Sequence, residues 1–363
     1  MNSLSTEYQI LTSNGNHLNN IDSSSTRDLL LDESSYSRLM SYASQREDEK
    51  GNYDYEKISN YGMLYLFIHL KGTNRNQNTK KDYIREILNL LSYSAAIGKS
   101  DIRDLSRSDI ENFQDLMERK YEKTTTRAKK IGIVQSFLDW CYEEEYISKK
   151  LSRGLTTVRI NKEEIPMREF DEEVLKNSIM YYNDQPKVKS LLLLLATTGL
   201  RLNEVRVPAW GALSFDSKRE RYYLRTLTKR GKIRYANIKD YVLEELIEYR
   251  KRLGLSSELN PKDQTPFYPN RYGKHYSLSS LSSSLSKKME EASLTTTLNQ
   301  RATPHYLRHF FAQTAYAAGA PISHIAETLG HTLDRTTKIN YLRNSLKKEH
   351  DVSEVVDIHL PKM

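Results

Sequence analysis

Apolar residues recur at helical spacing along most of the chain beyond residue 56. Ile58, Tyr61, Leu64, Tyr65 and Ile68 share one face of a 3.6-residue repeat, and Gly72 ends the run. Ile84, Ile87, Leu88 and Leu91 mark a second helix that stops at Gly98. A third starts from a cap at Ser106 or Ser108 and buries Ile110, Phe113, Leu116 and Met117. A fourth follows Thr124-Thr125-Thr126 and carries Ile131, Val134, Phe137, Leu138 and Cys141. These amphipathic segments predict one helical bundle over residues 51–150. Residues 1–50 are rich in Ser and Asn without a sustained period, so they read as a flexible extension, with a short helix near Ser34–Tyr42.

Residues 151–164 have no periodic apolar face and several basic side chains, the pattern of an interdomain linker. A second domain follows over 165–348. It opens with a helix around Val174–Tyr182 and a second, Val188–Thr198, apolar nearly all round and therefore core. Leu213–Phe215, Tyr222–Leu227 and Ile233–Ile238 read as short strands, the last two joined by a hairpin at Thr228-Lys229-Arg230-Gly231. Helices are expected over Tyr241–Leu253, Leu278–Ala292, Pro304–Ala318, Pro321–Leu329 and Asp334–Lys347, and a tail covers 349–363. The fold class is mainly α with a small antiparallel β-sheet.

A length of 363 residues suits two domains. The formal net charge of +8 favours a polyanionic partner, nucleic acid or an acidic membrane surface. One cysteine, Cys141, excludes an internal disulfide and a thiolate metal cluster. The start lacks the basic and apolar parts of a signal peptide, and the longest apolar run, Leu191–Ala196, is too short for a bilayer. A cytoplasmic, DNA-facing protein without membrane contact is the expectation. In the bundle, Arg119, Lys120, Lys123, Arg127, Lys129 and Lys130 form a basic stretch that reads either as a solvated turn or as a phosphate-contacting ridge.

Polar residues that packing does not explain cluster in the second domain. Arg201 follows a buried helix and Gly199; its anionic partner is either Glu204, three residues on, or a phosphate gripped by two parallel hydrogen bonds. His305 and Arg308 share a face at the first turn of a helix, where the N-terminus itself favours an anion. His331 follows Gly330 at a helix break, and Tyr341 lies on the next helix. With 25 tyrosines in the chain, any single one is by default amphipathic packing.

Together, Thr198-Gly199-Leu200-Arg201 with Glu204, a hairpin lysine, His305-x-x-Arg308, Leu329-Gly330-His331 and a final Tyr341 resemble the tyrosine recombinase (phage integrase) family. The stretch 304–330 is its most specific part; the bundle is similar to that family's core-binding domain, less specifically. The resemblance implies a C-shaped clamp on DNA built from core-binding and catalytic domains. It implies that Arg201 and Arg308 clamp the scissile phosphate, that His305 and His331 hydrogen-bond it, and that His305 can take the tyrosine proton. Tyr341 attacks phosphorus and expels the 5′ oxygen, which Lys229 protonates, while Glu204 orients the site. Arg230 and Lys232 flank Lys229 as further DNA contacts. No metal or other cofactor is implied, because two guanidiniums supply the charge.

The resemblance also implies double-stranded recombination sites as partner, a homotetramer on DNA with the tail reaching a neighbouring protomer, and accessory recombination proteins. Within the family the pattern leans to the integrase-like transposases of site-specific transposons. Two other readings stay open at this point: a type IB topoisomerase-like DNA relaxing enzyme, and a catalytically idle, sequence-specific DNA-binding protein.

Overall fold

The computed structural model describes residues 9–12, 23–44, 53–70, 76–160, 168–169, 171–228, 231–331, 337, 341–342 and 346. The chain divides into two compact units, Met1–Ile165 and Pro166–Met363.

The first unit holds α1 (Ser23–Leu31), α2 (Tyr36–Ser44), α3 (Asn60–Leu70), α4 (Gln77–Ala96), α5 (Arg107–Lys120) and α6 (Thr124–Glu143). Helix α3 is buried on every side from Gly62 to His69, so the others pack around it. Its Phe67 meets Phe137 and Trp140 of α6 with ring centroids 5.4 Å apart in both pairs. Ser106 caps α5 through a capping box with Asp109, whose carboxylate also takes Lys99 Nζ at 2.6 Å. Leu116, expected in the core, is instead 47% exposed, because it lies on the solvent side of α5 between the buried Phe113 and Met117.

Two expectations are corrected here. The extension over 1–50 is, in its described part, helical and packed: Leu11, Leu30, Leu39 and Ala43 lie in the same core as α3. Ser59 Oγ donates to Ile10 O at 2.6 Å, and the backbone of Leu11 passes so close to Gly62 that an added Cβ would meet Leu11 O at 2.1 Å. Spaced leucines in a Ser-rich segment gain their burial only from tertiary partners, which local periodicity does not register. The linker expected from residue 151 likewise begins as a 3₁₀ turn, Leu151–Gly154, with Leu151 and Leu155 buried in the bundle core. Gly154 fits against α5, where a Cβ would meet Arg107 O at 2.8 Å.

The second unit contains α7 (Glu172–Met180), α8 (Pro186–Thr198), α9 (Leu202–Arg206), β1 (Leu213–Asp216), β2 (Arg221–Leu227), β3 (Ile233–Ile238), α10 (Asp240–Arg252), α11 (Leu278–Glu291), α12 (Pro304–Ala317) and α13 (Ile322–Thr328). The sheet is antiparallel in the order β1-β2-β3, with Leu213 opposite Leu224 and Leu224 opposite Ala236. On β3, Arg234, Ala236 and Ile238 alternate inward. Helix α8 starts at Pro186, a tolerated first-turn position, and forms the core with Leu191, Leu192, Leu194 and Leu195. It ends at Gly199 with φ +61°, where a Cβ would also lie 2.5 Å from the Phe311 ring, so both conformation and space demand glycine.

Among the described residues no helix is long and apolar enough to cross a membrane. Of the helix expected over Asp334–Lys347, the described residues are Thr337, Tyr341, Leu342 and Leu346; Tyr341 and Leu342 are buried with Ala312, Ile325 and Leu329. The tail 349–363 lies outside the described residues.

Candidate active site

The site forms where the C-terminal end of α8, the first turn of α12 and the segment after α13 meet. Glu204 of α9, 2% exposed, is its anionic centre. Its carboxylate accepts from Arg201 Nη1 at 2.8 Å, from the Arg201 backbone N–H at 3.0 Å and from Arg234 Nη1 at 3.2 Å. Arg308 Nη1 stands 3.9 Å away. One carboxylate thus balances a cluster of guanidiniums that would otherwise repel one another. Thr226 Oγ1 donates to the Glu204 carbonyl at 2.6 Å and ties α9 to β2.

Arg308 is fully enclosed, at 0% exposure. Its Nη1 donates to Gly199 O at 2.6 Å, and Nη2 donates to Leu329 O, so one side chain joins the ends of α8 and α13. Its Nε donates to the Tyr341 phenol at 3.3 Å. Nη2 also faces His331 Nε2 at 3.4 Å. A guanidinium only donates, so Nε2 is the acceptor and the His331 proton sits on Nδ1, 2.8 Å from Thr337 Oγ1. Tyr341 is therefore held in the same chain's cluster, with ring centroids 4.2 Å from His309, 5.3 Å from His331 and 6.0 Å from His305.

The imidazoles are kept neutral. Burial, then Arg308 and Arg201, push His331 down to about 4. The outer edge of His305 meets solvent, yet enclosure of its ring, then Arg168 and Arg308, bring it to about 4 as well. His309, 2% exposed, falls to about 2, chiefly through burial and then through His305. A neutral imidazole keeps one ring nitrogen with a bare lone pair, so each can accept a hydrogen bond beside the phenol.

Of the residues singled out from sequence, Arg201, Glu204, His305, Arg308, His331 and Tyr341 come together. Lys229 and Arg230 lie outside the described residues, and Lys232, whose carbonyl accepts from Thr228 N–H at 2.8 Å in the β2–β3 turn, is exposed. In the bundle, Arg119, Lys120 and Lys123 are exposed, whereas Lys129 Nζ binds Asp82 at 2.6 Å and Lys130 Nζ binds the buried Glu86 at 2.7 Å. Arg127 Nε is buried and has no hydrogen-bond acceptor among the described residues. Sequence reasoning missed Arg234, His309 and Arg168. Arg234 was legible, since it shares the inward register of Ala236 and Ile238. Nothing near Arg168 marked it.

The profile of the phage integrase family matches residues 167–348, and that of the phage integrase N-terminal SAM-like domain matches residues 65–145. The chain is similar to the tyrosine recombinase XerC of Pelotomaculum thermopropionicum, 24% identical over 297 residues that cover 78% of this chain and 92% of that protein. Its fold is like that of the Tn1549 transposon integrase in complex with circular intermediate DNA, at a TM-score of 0.58 and 16% identity over 80% of this chain and 98% of that one. It is equally like the lambda integrase tetramer bound to a Holliday junction, at a TM-score of 0.58 and 13% identity over 76% of each chain. With the arginine, histidine and tyrosine cluster inside the 167–348 match and a second match over the helical unit, the chain belongs to the phage integrase family.

Proposed function

We propose that this chain performs site-specific DNA recombination, with Tyr341 as the nucleophile that breaks and rejoins strands. The observation that carries the assignment is the placement of the Tyr341 phenol on Arg308 Nε at 3.3 Å, among three neutral imidazoles and the Arg201–Glu204–Arg234 cluster. The scissile phosphate takes the position beside Arg308 and Arg201, and the phenol yields Nε as it turns toward phosphorus. The tyrosine oxygen bonds to phosphorus while the bond from phosphorus to the 5′ oxygen breaks. The phenol proton passes to His305, and Lys229 protonates the departing oxygen. Phosphodiester energy is retained in the phosphotyrosine, so attack by a second 5′ hydroxyl reverses the step without ATP.

The substrates are double-stranded recombination sites of a mobile element, whose integration, excision or transposition the enzyme catalyses as a homotetramer. The similarity to a transposon integrase and to an integrase that forms a tetramer on a junction supports this reading, and the separate helical domain favours it over a topoisomerase. Arg119, Lys120 and Lys123, exposed at the end of α5 and the start of α6, are suited to phosphate contacts. The test is strand exchange between two duplexes carrying a site that this protein selects from random-sequence DNA, run in EDTA. Recombinant product from the wild type is expected. Relaxation of supercoiled plasmid without any exchange would instead support the topoisomerase reading.

A further inference from the structure

We propose that Arg168 is a positioning residue for strand cleavage, fixing the ring of His309 on which the ring of Tyr341 lies. The inference rests on Tyr341 being the nucleophile. Arg168 Nη1 stands 3.0 Å from His309 Nε2. Because a guanidinium only donates, His309 must present the bare Nε2 toward it and carry its proton on Nδ1. An imidazole turned over by half a rotation would bring the Cε1–H against the guanidinium in place of the Nε2 acceptor, so this bond selects one ring orientation. The selected ring lies 4.2 Å from the Tyr341 ring, tilted by 31°, and meets His305 edge-on at 5.0 Å. His309 is therefore a plate shared by the nucleophile and its proton acceptor, and Arg168 holds the plate by its Nε2 edge.

Stability alone does not explain this arginine. Among the described residues its guanidinium bonds to a neutral ring, its Nε is buried without an acceptor, and it lies 5.7 Å from the Tyr306 ring. An apolar side chain would fill such a place at lower desolvation cost. What it supplies is order at the nucleophile. It also adds positive charge beside His305 and His309, which helps keep both neutral.

The test uses the full chain and a nicked duplex carrying its selected site, at saturating concentration, so that the rate of forming an SDS-stable covalent complex reports cleavage alone. Arg168→Gln is expected to slow cleavage roughly tenfold or more, as misplacement of a reacting group does, with DNA affinity unchanged. Arg168→Lys, which keeps a charged donor, is expected to recover most of the rate. His309→Phe keeps a ring but offers no acceptor, so in that background Arg168→Gln should change the rate by less than about twofold. Cleavage by Arg168→Gln at the wild-type rate, or weaker binding with full cleavage at saturation, would overturn the inference. So would equal losses in both backgrounds. Should Arg168→Gln fail to fold in thermal melts, Arg168→Lys and His309→Phe decide: wild-type rates in both overturn it, and a slow His309→Phe with a near-normal Arg168→Lys supports it. A covalent complex from Tyr341→Phe would sink the nucleophile assignment itself, and this inference with it.

Discussion

Glu204→Gln keeps the shape of the side chain but removes the charge that balances the guanidinium cluster. The magnitude follows from burial. The pair with Arg201 is partly open, at 29% exposure of the arginine side chain, and contributes on the order of 0.5–1 kcal/mol. The pair with Arg234 is enclosed, at 8% and 2% exposure, and removing one partner of such a pair costs about 3–5 kcal/mol. The amide oxygen of Gln still accepts one hydrogen bond, which offsets part of that loss, so the expected destabilisation is about 2–4 kcal/mol. Urea unfolding measures it. Trp140 lies in the core of the first unit and Trp210 in that of the second, so a Trp140→Phe background lets Trp210 fluorescence report on the second unit alone. Loss of less than about 1 kcal/mol would refute the view that Glu204 is the counter-charge of the cluster.

Acid dependence gives a second test. His309 has its pKa lowered to about 2 in the folded chain by burial and His305, whereas an unfolded histidine titrates near 6.5. The unfolded chain therefore binds a proton that the folded one refuses, and this contribution is complete above pH ~6.5 and is lost as pH falls toward the folded value. Between pH 6 and 4 the wild type should lose stability more steeply than His309→Phe, by up to about 1.4 kcal/mol per pH unit; parallel curves would contradict the assignment. In the bundle, Lys123→Ala should lower the slope of log affinity against log salt by about 0.9, the value for one phosphate contact. Lys130→Ala should move that slope little and instead destabilise the bundle, because Glu86, 1% exposed, loses a 2.7 Å ion pair; equal slopes for both variants would contradict this.

Much of the molecule is legible in the sequence where local signals and tertiary roles coincide. The capping serine at 106, the positive-φ glycines at 98 and 199, and the alternation of β3 each fix an element by local chemistry. The cluster of Arg201, Glu204, His305, Arg308, His331 and Tyr341 is legible only as a set, because each member alone has an ordinary structural role. Its partners are less visible. Arg234 declares itself through strand register, whereas Arg168 reaches His309 across 141 positions of sequence with no periodic signal around it. Of the N-terminal helices, α2 matches the short helix expected near Ser34–Tyr42, whereas α1 was hidden for the same reason as Arg168, since Leu30 finds its partners on α3 and its neighbours rather than on its own helix.

The central claim is that Tyr341 becomes joined to DNA. Peptide mapping by mass spectrometry of the covalent complex, formed on a nicked duplex in EDTA, tests it directly. The account predicts a single DNA-linked peptide whose modified residue is Tyr341. A nucleotide adduct on Tyr306, Tyr316 or any other residue would contradict it.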